Sequence, residues 1–302
     1  MRVARYWARA HAESRGYARG AWAGSDTSLQ DAQAKAKARA EALLAEVLAA
    51  DDPALHEYEY QRHDLPEPIV QEFRDADGRR IAAITINRYG ASVLNTARLA
   101  FVDVDLDRPG RGGRPGGGPG RRAGGLLGRL LGRPQVGRPQ VGRPQARAEP
   151  IDRVLAPLRA WAEGHPDRGA RVYRTAAGLR YVLTRPAMVP DSLQTAEFMD
   201  AMGADPLYAR LCQAQRCFRA RLSPKPWRMG LFRAPRLSYE KLADAGQEVQ
   251  AWLRRYEQAS ADFAVCALID RIGNDRPADE DAARLIALHD ELSGVGTDRP
   301  LA

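Results

Sequence analysis

A basic segment rich in glycine and proline, Arg108–Ala148, divides this chain of 302 residues. It carries ten arginines and no acidic residue, and the tetrapeptide Gly-Arg-Pro-Gln occurs in it three times. Such a composition cannot bury enough apolar surface to offset the entropy of folding, which predicts a disordered, low-complexity linker. We therefore expect an N-terminal part, residues 1–107, and a C-terminal part, residues 149–302, that together complete one globular unit.

The linker also explains the formal net charge of +8. Ten of the 46 lysines and arginines lie in it, which leaves 36 basic residues against 38 acidic residues in the rest of the chain. The flanking parts are therefore close to neutral, and the excess of arginine is also typical of a biased coding composition. A tethered basic arm can nevertheless attract phosphate groups, so nucleic acid stays open as a partner.

Both flanking parts alternate between strand-like and helix-like patterns, which predicts an α+β fold with mixed, mostly antiparallel sheets packed against helices. Residues 3–22 predict a strand pair that turns near Arg15. Ser28 predicts the start of a long alanine-rich helix, because Asp31 follows three residues later. We expect the strand Ile81–Ile86 to lie beside the strand that carries Asp103 in one sheet.

The strand Phe101–Leu106 carries the most specific candidate site. Strict alternation places Asp103 and Asp105 on one face and the apolar residues on the other. Two carboxylates at this spacing can bind one divalent cation, which makes Asp103 and Asp105 candidate ligands for Mg²⁺ or Mn²⁺. The alternative is a solvated loop entrance. Without an ion the two carboxylates would repel each other, so replacing both by asparagine should not destabilise the fold.

Beyond the linker, apolar spacing predicts helices over residues 151–163, 239–259 and 280–292. Alternating residues also predict two strands joined by a short turn, over residues 171–175 and 179–184. Such a β-hairpin can lie beside the strand that carries Asp103 and Asp105.

Arg180 lies in the second strand of this hairpin and alternates with Leu179 and Tyr181, so its side chain should project to the face opposite theirs. If that face also carries Asp103, Arg180 can either pair with the carboxylate or bind a phosphate.

The order of these motifs resembles the archaeo-eukaryotic primase superfamily of primase-polymerases. An aspartate pair closes a strand, a Thr-x-x-Gly-Leu-Arg hairpin follows, and an arginine-rich strand ends in Ser-Pro-Lys-Pro. The resemblance spans roughly residues 81–227. It implies that Asp103 and Asp105 bind the metal of nucleotidyl transfer and that Arg180 stands where the family has a phosphate-binding histidine.

The same resemblance implies a basic strand that binds nucleic acid or phosphate, formed by Arg219, Arg221 and Lys225. Alternation places Arg219 and Arg221 on one face, and Phe218 and Trp227 interleave with the cations as base-stacking groups do. Solvated surface charge is the alternative for this set. The family also implies a third metal-binding aspartate, for which no position fits.

A missing histidine and an unplaced third carboxylate favour an incomplete catalytic site. The resemblance thus predicts a primase-polymerase-like protein that binds nucleotide or nucleic acid. One alternative is an active, divalent-metal-dependent nucleotidyltransferase that uses Asp103 and Asp105. The other is an unrelated α+β interaction or adaptor protein.

The cellular location is predicted from what the chain lacks. No apolar run reaches the ~18 residues of a membrane-spanning helix, and the N-terminus lacks the apolar core of a secretory signal. We therefore expect a cytoplasmic protein without a membrane partner.

Three cysteines, Cys212, Cys217 and Cys266, form neither a disulfide framework nor a zinc pattern, so we expect them to be reduced and buried.

Overall fold

The computed structural model describes residues 1–49, 66–106, 151–185, 187–231, 237, 239–243 and 246–302. The linker, residues 108–148, lies outside the described residues, so the prediction that it is disordered is not tested.

The described residues form ten strands and seven α-helices, in an α+β arrangement of mostly antiparallel sheets as predicted. The strands are β1 (Tyr6–Ser14), β2 (Tyr17–Ser25), β3 (Ile69–Arg74), β4 (Arg80–Ile86), β5 (Ser92–Thr96), β6 (Ala100–Asp105), β7 (Gly169–Thr175), β8 (Gly178–Arg185), β9 (Phe218–Arg221) and β10 (Cys266–Gly273). The helices are α1 (Leu29–Ala49), α2 (Ile151–Glu163), α3 (Leu193–Ala201), α4 (Pro206–Gln215), α5 (Tyr239–Ala243), α6 (Gln247–Ser260) and α7 (Glu280–Leu292).

The N-terminal hairpin β1–β2 packs against α1 through small side chains. Its turn takes left-handed backbone angles at Arg15 and Gly16, which confirms the predicted turn. Ser28 accepts a hydrogen bond from the Asp31 amide at 3.1 Å, which confirms the predicted helix start. Both the hairpin and α1 contribute alanine side chains to this contact, so the helix lies close to the two strands.

Two four-stranded sheets form the rest of the β-structure. The central sheet has the order β10-β7-β8-β6, and the second sheet has the order β3-β4-β5-β9. The predicted hairpin β7–β8 is confirmed, and β6 lies beside it, as predicted for the aspartate strand. The expectation that β4 and β6 share a sheet is wrong. Short turns join β4 to β3 and to β5, and these local partners occupy both edges of β4.

Helices cover both faces of the central sheet. On one face, the Tyr181 hydroxyl donates to the backbone carbonyl of Val154 on α2 at 3.3 Å. On the other, His289 of α7 contacts the rings of Phe101 and Tyr173. One apolar core takes residues from both sides of the linker, so the two flanking parts are packed together.

Other predicted elements agree with the structure, with one correction. Helices α2 and α7 have the predicted bounds. The single helix expected over residues 239–259 is instead two helices, α5 and α6, and Gly246 caps the start of the second. Glycine is among the residues favoured at a helix N-cap, which explains why a new helix begins there. All three cysteines are free and buried, as expected.

None of the helices in the described ranges combines the length and the apolar character that crossing a membrane requires.

Gly178→Ala should destabilise the fold, because a Cβ atom at this position would lie 1.9 Å from the carbonyl oxygen of Val104 on β6. The β6–β8 pairing would have to shift, at a cost of about 1–3 kcal/mol or more in unfolding free energy. Gly164→Ala is the matched control, since its Cβ would meet nothing closer than 3.5 Å. Urea denaturation measures both variants, and equal stabilities would contradict the strand pairing.

Candidate functional site

A small cleft lies where the edge strand β6 of the central sheet meets the edge strand β9 of the second sheet. The loop that follows β9 closes one side of the cleft. The cavity volume is about 60 Å³. Its charged lining consists of two acidic and four basic side chains: Asp103, Asp105, Arg180, Arg221, Lys225 and Arg228.

Asp103 and Arg180 form an ion pair at the floor of this cleft. They are directly opposite each other in the β6–β8 register. Arg180 Nε donates to Asp103 Oδ1 at 2.8 Å, and an Nη2 hydrogen is donated to Oδ2 at 3.2 Å. The Arg180 side chain is 1% exposed, whereas that of Asp103 is 30% exposed. The sequence left ion pairing and phosphate binding open for Arg180, and the structure pairs it with Asp103.

The remaining donors of Arg180 reach other parts of the fold. Its Nη1 donates to the backbone carbonyl of Arg221 at 3.0 Å and lies 3.3 Å from His289 Nε2. His289 Nδ1 lies 2.9 Å from Asp290 Oδ1, which also accepts a hydrogen bond from the Tyr173 hydroxyl at 2.7 Å. These contacts fit a neutral imidazole that donates through Nδ1 and accepts through Nε2.

Burial and the ion pair act in opposite directions on the pKa of Asp103. Burial alone would raise the pKa of the carboxyl group, but the charge and the hydrogen bonds of Arg180 outweigh it and lower the pKa. Burial likewise disfavours the charged guanidinium, and Asp103 outweighs it, so the pKa of Arg180 is raised. Both groups therefore stay charged near neutral pH.

This arrangement does not fit a divalent-metal site well. Both Asp103 oxygens are already engaged by Arg180, so a cation would have to displace a buried guanidinium. Within the described ranges, no group of three or more histidine, cysteine, aspartate or glutamate side chains could hold an ion. The assignment of Mg²⁺ or Mn²⁺ to Asp103 and Asp105 stays a prediction from the sequence.

Three further cations converge above the ion pair. The Arg221 side chain makes no hydrogen bond or ion pair with any residue in the part of the chain that the structure describes. Burial, with a contribution from the charge of Arg180, lowers the pKa of Arg221 to about 10. Burial, together with Arg221 and Arg228, also lowers the pKa of Lys225. The lowered pKa of both groups indicates that their surroundings disfavour positive charge.

Arg219 does not join this cleft, although it lies only two residues before Arg221. Its guanidinium donates to both carboxylate oxygens of Glu67, at 2.7 and 2.8 Å, and both side chains are buried. The Thr85 hydroxyl donates to the same carboxylate at 2.5 Å. Phe218 is fully buried as well. Of the basic strand predicted from the sequence, the structure brings Arg221 and Lys225 to Asp103, Asp105 and Arg180.

Two residues of the site were missed by the sequence reasoning. Arg228 lies in a short 3₁₀ helix, Pro226–Met229, three residues after Lys225. Lys225 is the N-cap of this helix, and the short distance in sequence between the two cations is a signal that could have found Arg228. His289 carries no such signal, because only the packing of α7 against the sheet brings it to Arg180.

No protein-family model, no curated protein and no solved structure matches this chain. The resemblance to the primase superfamily therefore stays a prediction.

Asp103→Asn should destabilise the protein by about 3 kcal/mol, because it leaves the buried charge of Arg180 without an anionic partner. This reverses the sequence expectation that replacing the aspartates is harmless. Asp105→Asn is the matched control, since its exposed side chain should contribute about 0–1 kcal/mol. Urea denaturation in metal-free buffer compares the two. A loss that is no larger for Asp103→Asn than for Asp105→Asn would contradict a structural role for the ion pair.

The buried histidine predicts a loss of stability in mild acid. Burial, with a contribution from Arg180, lowers the pKa of His289, although Asp290 acts against it. The unfolded chain takes up a proton below its pKa of about 6.5, whereas the folded chain does so only at lower pH. The unfolding free energy should therefore fall as pH drops below about 6.5, by at most about 1.4 kcal/mol per pH unit from this group.

Urea denaturation between pH 5 and 7.5 measures this dependence. His289→Gln should reduce the slope, while His11→Gln, at an exposed position, should leave it unchanged. An identical slope in the wild type and in His289→Gln would rule out the histidine as its origin.

Proposed function

We propose that this protein binds the phosphate group of a nucleotide or nucleic acid in the cleft between β6 and β9. Arg221, Lys225 and Arg228 contact the phosphate, and the Arg180–Asp103 ion pair holds the floor of the site. The observation that carries the proposal is the convergence of these three cations on one small cavity, two of them with a lowered pKa.

Electrostatics supports an anionic ligand. Four cationic side chains line the cleft against two acidic side chains, and one of these, Asp103, is already paired. Cations that lose hydration and repel one another raise the free energy of the folded protein, and a bound anion offsets that cost. Arginine and lysine are the side chains that proteins use most for phosphate, because they supply charged N–H donors to its oxygens.

The size of the cleft supports the same ligand. Its volume of about 60 Å³ is well below the ~300 Å³ at which small-molecule pockets begin. It is a few times the space that one water molecule needs. This volume suits a phosphate group and not a whole nucleoside.

The position of the linker in the sequence adds long-range attraction. Its first residue, Arg108, follows Asp105 of the cleft by three positions. Ten arginines therefore follow the cleft strand closely in the sequence, and a tethered basic segment raises the local concentration of phosphate-bearing chains. Nucleotidyl transfer is not part of the proposal, because Asp103 is engaged by Arg180.

Arg221→Met tests the proposal. It should weaken binding of ATP or tripolyphosphate by about 1.5–3 kcal/mol, the scale of a hydrogen bond to a charged group. The melting temperature should stay the same or rise, since the substitution removes a charge that the site disfavours and keeps an unbranched apolar chain in place of the arginine methylene groups. Isothermal titration calorimetry and thermal denaturation measure the two effects.

Arg254→Met, at an exposed position on α6, is the matched control and should bind like the wild type. A wild-type protein that binds neither ligand, or an Arg221→Met variant with unchanged affinity, would refute phosphate binding at this cleft.

A further inference from the structure

Two aromatic side chains lie exposed beside the cationic cleft. Trp227 is 45% exposed and Tyr89 is 36% exposed. Their ring centroids are 5.4 Å apart, in an edge-to-face arrangement. Trp227 sits between Lys225 and Arg228, which both line the cleft, and Lys225 Nζ lies 5.6 Å from the centroid of its ring. The aromatic pair is therefore at the rim of the proposed phosphate site.

We infer that Tyr89 and Trp227 form a stacking platform for the bases of single-stranded nucleic acid whose phosphate occupies the cleft. This inference rests on the proposed function and names the ligand class. A cavity of about 60 Å³ leaves the base outside, so the base has to find its contact at the rim. Single-strand binding surfaces combine such cations along the backbone with aromatic rings for the bases.

The loop that carries Trp227 is held in place. The Tyr256 hydroxyl on α6 donates to the backbone carbonyl of Pro224 at 2.7 Å and lies 2.7 Å from Ser223 Oγ. Ser223 Oγ accepts from the Ser92 amide at 2.8 Å, which connects the loop to β5. A ring on an anchored loop loses little conformational freedom when it stacks, so its contact contributes more to affinity.

The turn that carries Tyr89 is equally constrained. Asn87 Oδ1 accepts hydrogen bonds from the amides of Tyr89 and Ala91, at 2.9 and 3.1 Å. Gly90 has a φ of 80°, and a Cβ there would lie 2.4 Å from the Trp252 ring, so this turn requires glycine. Arg88 lies over the Tyr89 ring, 4.8 Å from its centroid, and adds a further cation beside the platform.

Alternative ligands fit these features less well. Duplex DNA or RNA keeps its bases stacked inside, so the exposed rings would contact only the backbone or an end. A free mononucleotide can use one ring at most, whereas a strand can extend from the cleft across both. Lys225 of the cleft and Arg88 beyond it each lie next to a ring, which matches the alternation of phosphate and base along a strand.

Fluorescence anisotropy with fluorescein-labelled twelve-residue oligothymidylate tests this inference. Trp227→Ala should weaken binding about 5- to 150-fold, the range that corresponds to the loss of one stacked base. Trp227→Phe should retain most of the affinity, because a ring remains for stacking. Tyr89→Ala should weaken binding in the same direction, and Tyr17→Ala, a tyrosine 39% exposed on the β1–β2 hairpin, should not.

An abasic strand of the same length separates stacking from phosphate binding. Its affinity should fall in Arg221→Met and stay unchanged in Trp227→Ala. If Arg221→Met weakens both strands and Trp227→Ala weakens neither, the stacking inference is wrong and phosphate binding stands. If the wild type binds neither strand, both are wrong. A loss on Trp227→Ala that is equal for oligothymidylate, the abasic strand and a duplex would also overturn stacking.

Discussion

The buried guanidinium of Arg180 is the interaction on which the arrangement around the cleft depends. From β8 it binds the carboxylate of β6, a backbone carbonyl of β9 and the imidazole of α7. One side chain thus connects the central sheet, the edge of the second sheet and the helix that covers them. Removing a guanidinium from water costs several kcal/mol, and only a full set of partners offsets that cost. We therefore expect Arg180 and Asp103 to be held in one arrangement, because any other would leave the buried guanidinium with fewer partners.

A rigid floor explains how the protein can hold cations that repel one another. Arg221, Lys225 and Arg228 remain converged because strand β9 and an anchored loop fix their backbones, and not because their charges are satisfied. Such an arrangement lowers stability, which folded proteins accept at sites where a ligand supplies the missing charge. Asp105 lines the same cleft and limits the excess of positive charge.

Arg219 and Arg221 show how the same residue type on one face of one strand takes two roles. A carboxylate, Glu67, meets the first and makes it part of the buried structure. The second has the Arg180 guanidinium as its neighbour and is left with a charge that its surroundings disfavour. The difference lies entirely in what the rest of the chain places opposite each side chain, so the number of arginines in a strand does not measure its affinity for nucleic acid.

The sequence by itself determined most elements and most of the cleft. Period-two and helical spacing located the aspartate strand, the hairpin and the helices α2 and α7, because these patterns depend on local geometry. Alternation also put Asp103 and Asp105 on one face and turned Arg180 away from its neighbours. Only the tertiary structure decided that Arg180 pairs with Asp103, that β4 and β6 belong to different sheets, and that Arg219 is buried while His289 and Arg228 join the site. Those outcomes depend on which segments, distant in the sequence, come into contact. Contact decides whether a charged side chain is buried and what lies opposite it, and burial changes the free energy of a charge by several kcal/mol.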